Sequence, residues 1–169
     1  MSTDTLLTSL FRYKAWANAE TFAALAALPD GAFAEVRQEA ILTLNHAHIV
    51  DRIFSANLQR QAHCYTGTFP SEAPPFDALA KSVAETDQWY LDYLATLDAA
   101  ALAEPIAFTF ADGTPAHMSR EEMLGHVITH GNFLRGETSR ILAGAPIKLP
   151  HDVFTGYLHR AEPARRRQS

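Results

Sequence analysis

The sequence predicts an all-α four-helix bundle with a small β-hairpin excursion before the last long helix. Three observations point to it. Apolar residues recur at intervals of three and four through four stretches of about 20 residues each. Strand-like alternation is confined to one short region. No internal repeat of about 20–50 residues is visible. With 169 residues, 47% of them apolar, the chain is long enough for one domain with a real core. That domain is expected over residues 1–160, with 161–169 as a flexible basic tail carrying Arg165-Arg166-Arg167.

The first helix is expected from about Asp4 to Leu28. Leu6, Leu7, Leu10, Tyr13, Ala17, Thr21, Ala24, Leu25 and Leu28 form its stripe, and Asp4 is placed as N-cap. Pro29-Asp30-Gly31 supplies the turn that ends it. The second helix runs from about Arg37 to Arg60, with Ile41, Leu42, Leu44, Ile49, Ile53, Phe54 and Leu58 as its stripe and His46 inside it. Proline-rich residues 67–75 read as a loop. A third helix follows from about Phe76 to Leu97, and Asp98 to Glu104 holds one short helical turn.

Ile106 to Phe110 and Thr114 to Met118 alternate around Ala111-Asp112-Gly113, a hairpin signal. Ser119-Arg120-Glu121-Glu122 is a capping box that starts the fourth helix. This helix is expected to continue through Leu142, with Gly144 as its C′ residue and Pro146 beyond. A final short helix is expected over Asp152 to Arg160.

The net charge of −5 and the lack of a basic face argue against a nucleic-acid binder. No apolar run approaches the roughly 20 residues that span a bilayer. The N-terminus lacks a secretory pattern. The single cysteine, Cys64, forbids an intramolecular disulfide and suits a reducing, cytoplasmic setting. Nothing near Cys64 in sequence activates it as a nucleophile, so its expected role is structural.

Chemistry concentrates on histidine. His126 and His130 stand one helical turn apart, and imidazoles at i and i+4 share a helix face. On a helical wheel the apolar face of the fourth helix centres about 70° from His130, while His126 lies about 40° to the other side. His130 therefore faces the interior and His126 its margin. His46 on the second helix is a further inward histidine. Bundles build metal sites from such residues on facing helices, and His46, His130 and His126 are the candidate ligands. His48 lies about 200° round the helix from His46 and is expected at the surface. His63, His117, His151 and His159 show no partner pattern.

Leu44-Asn45-His46 followed by Asp51-Arg52-Ile53-Phe54, His126-Val127-Ile128-Thr129-His130-Gly131, and Arg135-Gly136 together resemble the DinB (damage-inducible) family. Tyr13-Lys14-Ala15-Trp16-Ala17-Asn18 is similar to that family's first-helix motif. The order and spacing match over about residues 5–160. The resemblance implies an up-down-down-up bundle, often a homodimer, with zinc or nickel held by three histidines at one end of a cavity. It carries the ligand role to His46 and His130. The third ligand of the family falls on position 134, which is a leucine here. His126 as third ligand gives a shifted site, and Glu137 could reach it only in a bent geometry.

Two functions follow as expectations. One is an enzyme whose metal binds a small-molecule thiol as thiolate, a thiol transferase or hydrolase of the wider superfamily's kind. Tyr13, Trp16 and Asn18 would then line its cavity. The other is a non-catalytic bundle, a stress or small-ligand-binding protein that has lost the metal, with His130 as a hydrogen-bonded core residue. Position 134 separates them.

Overall fold

The computed structural model describes residues 6–29 and 31–166 and is mostly helical. Its elements, in order, are α1 (Leu6–Ala26), α2 (Ala34–Leu58), α3 (Phe76–Leu94), α4 (Ala99–Ala103), β1 (Pro105–Thr109), β2 (Pro115–Ser119), α5 (Arg120–Ile141), α6 (Phe154–Ala161) and α7 (Pro163–Arg166). Residues 1–5, 30 and 167–169 lie outside the description, and the expected Asp4 cap, Asp30 of the expected turn and the end of the expected basic tail fall among them.

Local chemistry accounts for the boundaries. Ser119 starts α5 with a complete capping box: its hydroxyl accepts from the Glu122 N–H at 3.1 Å, and the Glu122 carboxylate accepts from the Ser119 N–H at 2.6 Å. Asp98 caps α4 by accepting from the Ala101 N–H at 2.8 Å. At the end of α2, Arg60 adopts a left-handed φ of 57°. The Leu58 carbonyl there is taken by the Arg120 guanidinium at 2.9 Å. The expected C′ role of Gly144 is corrected. Helix α5 runs into a 3₁₀ turn over Leu142–Gly144, closed by the Ala145 N–H on the Leu142 carbonyl, and Gly144 keeps an ordinary φ.

The hairpin forms with each strand one residue nearer the adjoining helix than expected. Strands β1 and β2 pair antiparallel, with Ile106 opposite Met118 and Phe108 opposite Ala116. Gly113 supplies the positive φ of the turn, and Asp112 accepts from the Thr114 N–H. Ile106 and Phe108 turn inward, so the hairpin closes one end of the core.

Side-chain contacts fix the relative directions of the four long helices. Between α2 and α3, His48 meets Ser82, Asp51 meets Tyr90 and Leu58 meets Tyr93, so these helices run the same way. Between α2 and α5, His46 meets His130 and Phe54 meets His126, so these run oppositely. Helix α1 opposes α3, through Phe11 on Tyr90 and Phe22 on Phe76. Each of the four packs against two of the others: α1 on α3 and α5, and α2 on α3 and α5.

The core lies in two apolar clusters. One gathers Phe11, Ile53, Phe54, Tyr90, Met123 and Val127; the other gathers Phe22, Leu25, Ile41, Leu44, Leu79 and Leu142. A charged layer lies between them on α1, α3 and α5, and Asp51 of α2 joins it from among residues of the first cluster. It contains Lys14, Asp51, Asp87 and Arg135, all buried.

Candidate functional site

Helices α2 and α5 bring the two predicted histidines together. The His46 and His130 rings stand edge to face, 5.1 Å between centroids at 68°. His46 is buried in α2, and its Nδ1 lies 2.7 Å from the Thr68 carbonyl oxygen. A carbonyl can only accept, so Nδ1 carries the proton and Nε2 of the neutral ring keeps its lone pair. Phe69, next to Thr68 and 83% exposed, stacks on His46 at 4.0 Å. The proline-rich loop thus lies over the pair.

His126 is also drawn in, but differently. It is sandwiched between Phe54 at 4.6 Å and His130 at 5.4 Å, near-parallel to both at 21°. Six successive contacts make a row of rings: Phe110, Phe108, Phe54, His126, His130, His46 and Phe69. Burial, with smaller contributions from the neighbouring His46 and His126, pushes His130 down to about 4. Burial alone lowers His126. His130 Nδ1 is buried with no hydrogen-bond partner.

The donor set decides how these residues fit a zinc or nickel ion. His46 meets His130 edge to face, and His126 stacks on His130. Leu134, one turn beyond His130, is 5% exposed and packs as an apolar core residue. Glu137 is half-buried two turns from His130. Among the described residues, no three His, Cys, Asp or Glu side chains are grouped to hold an ion. A three-histidine centre is one donor short.

The first-helix candidates lie elsewhere. Tyr13 and Trp16 pack under α6, with Tyr13 near Phe154 and Tyr157, and Trp16 against Tyr157 and beneath the Arg160 guanidinium. The Tyr13 hydroxyl donates to Asp152, and burial followed by that hydrogen bond raises its pKa to about 12. Asn18 joins the charged layer. Cys64 is exposed and free. The expectation that His48 is a surface residue is corrected. It is 7% exposed, with Nε2 2.8 Å from the Ser82 hydroxyl, because α3 runs alongside that face of α2. Burial, then the positive charges of Arg52 and Lys14, lowers its pKa to about 4.

The charged layer carries polar residues to which the sequence reading gave no role. Lys14 Nζ donates to Asp51 Oδ2 and to Asp87 Oδ1, each at 2.6 Å. Asn18 donates to Asp87 at 2.8 Å and accepts from Arg135 at 3.2 Å. Arg135 reaches on to Asn132 at 2.5 Å and to Asp152 at 2.8 Å. Burial works against the Lys14 ammonium, but its two carboxylates outweigh this and raise its pKa. Asp51 moves up to about 6, because burial, with repulsion from Asp87, exceeds the attraction of Lys14. Gly131 lies against this layer at ordinary contact distance. A Cβ there would lie 3.4 Å from Lys14 Cε and 3.6 Å from Arg135 Nη1. The signal was a charge inside an apolar stripe: Lys14 between Leu10 and Ala17, and Asp87 between Val83 and Tyr90.

Nothing among the curated proteins matches the chain, and no solved structure matches it. A family model does, the DinB family, over residues 1–163. The first-helix motif, the His46 segment and the His130-Gly131 segment all lie inside that match and converge on one buried layer and one histidine pair; the chain belongs to the DinB family.

Proposed function

We propose that this protein is a DinB-type four-helix bundle, up-down-down-up, that binds a small ligand at its His46–His130 pair without a resident three-histidine metal. Leu134 carries the reading. It fills the position where the resemblance expects the third donor, and it does so as a buried core side chain. Two imidazoles and solvent hold a divalent ion far more weakly than three fixed donors. Thiol transfer and hydrolysis of the superfamily's kind need that metal and have no part in this reading. The pair instead offers unprotonated ring nitrogen beside aromatic faces. This suits a flat molecule that brings its own N–H or O–H donor.

A second reading has one observation in its favour. The Nδ1 contact of His46 with a backbone carbonyl is how metal-bound histidines are oriented. Under that reading His46 and His130 would hold a divalent ion with solvent completing its shell.

One experiment separates the two. The protein is purified without a nickel column, and zinc is titrated into wild type and Leu134→His. The first reading expects less than about 0.1 metal per chain and no thermal shift with zinc in the wild type. It expects stoichiometric zinc and a raised Tm in Leu134→His. Stoichiometric zinc in the wild type that is lost in His130→Ala supports the second reading. Phenol, a flat ring with one O–H donor, probes the ligand site. It is expected to move the His46 and His130 imidazole ¹⁵N signals of the wild type, and unmoved signals refute a donor-accepting pair.

A further inference from the structure

A cleft lies away from the histidine pair, between α2 and α3. Its volume is about 600 Å³, within the range of small-molecule sites, and residues 61–65 close one side of it. Three observations give it a chemistry.

First, it holds a free cation. Arg52 lines the cleft and is exposed, and among the described residues its guanidinium has no hydrogen-bond or ion-pair partner. It lines the cleft together with Glu85, Thr86 and Trp89, which places it on the α3 side of α2. The acidic residue at the rim, Glu85, is already answered by Lys81 at 3.5 Å.

Second, the wall contains polar atoms without partners. Thr86 is 3% exposed, and its hydroxyl is buried and unbonded. His63 Nδ1, in the same wall, is buried and unbonded too. Unpartnered buried polar groups are costly and mark places where a partner is wanted. Lys14 bridges Asp51 and Asp87, so residues 51–52 and 86–87 stand at one height along the parallel helices. Thr86 and Arg52 therefore stand at the same end of the cleft.

Third, one wall is a rigid aromatic surface. Trp89 is fixed by stacking on Tyr93 at 4.9 Å and by an edge contact with Tyr90, also at 4.9 Å. Its remaining surface faces the cleft, as does part of Tyr65.

We propose that this cleft binds a flat aromatic monoanion, its carboxylate held by Arg52 and the Thr86 hydroxyl and its ring laid against Trp89. A single cation matches a single negative charge, and a guanidinium matches a carboxylate in shape. The site is independent of the histidine pair, so either assignment can fail alone.

The probe is 2-naphthoate. Quenching of Trp89 fluorescence reports binding, in a Trp16→Phe background that leaves Trp89 as the remaining indole. Saturable quenching at one site per chain is expected. Arg52→Ala should weaken it about tenfold or more, and the neutral 2-naphthalenemethanol should bind weaker by a similar factor. Thr86→Val, which keeps the shape, should weaken it several-fold, whereas Thr86→Ser retains it. His130→Ala should leave it unchanged. Thermal melts confirm that each variant is folded. Non-saturable quenching, equal binding of acid and alcohol, or indifference to Arg52→Ala would each overturn the proposal.

Discussion

His48 and His130 show how far a residue's behaviour departs from its type. Each carries a buried Nδ1 without a partner, and burial is the first cause that holds each at about 4. Both are therefore neutral across the physiological range. Imidazole chemical shifts followed from pH 8 to pH 5 should stay nearly constant for these two, while an exposed ring such as His159 serves as the comparison. A midpoint near 6.5 for either would show that its ring is hydrated. Sequence reasoning found His130, because one histidine on an apolar stripe is conspicuous. It missed His48, because the helical wheel of α2 was read as having one buried side. Packing against both α3 and α5 buries two, and no pattern within α2 alone reveals a second neighbour. The same blindness hid Lys14. Its position was legible as core, but the pairing of one ammonium with carboxylates from two other helices is a product of topology.

At the scale of elements, the parts with local chemistry were legible and those held by tertiary contacts were not. The capping box of α5, the Asp98-capped α4 and the Asp-Gly hairpin carry their instructions within a few residues. Helix α6 was expected as a short final helix over Asp152 to Arg160. Its anchorage was not, because Asp152 just before it is held by Arg135 and Tyr13 from two distant helices. That anchorage makes a specific prediction. Asp152→Ala removes the acceptor from a buried guanidinium and a buried phenol, so it should cost about 3 kcal/mol, in the range for breaking a buried pair. The loss should be localised. Amides of α6 should exchange much faster, while those of α2 and α3 keep most of their protection. Uniform acceleration across the chain would show that α6 and the four long helices unfold as one unit.

Taken whole, the molecule is two apolar cores and a charged layer, and that arrangement sets its response to pH. Asp51 sits at about 6 when folded against an ordinary 3.8. A carboxyl raised in this way favours the fold while protonated, and that contribution is lost as pH rises through about 6. His48 and His130 oppose it. Their folded values near 4 lie below the ordinary 6.5, so their contribution is present above 6.5 and lost as pH falls through about 4. Over the shared window from about 4 to 6, His48 and His130, with His126 in the same direction, favour higher pH and Asp51 favours lower pH. The net expectation is that the urea midpoint rises between pH 4.5 and pH 6.5. Asp51→Asn removes the opposing group and keeps Lys14 paired with Asp87, so the rise should be steeper than in the wild type, although the variant is less stable overall. An unchanged rise would mean that Asp51 is ionised throughout the window. The Lys14 ammonium would then hold both carboxylates charged, and the layer would be a fixed ion cluster in which no proton is shared.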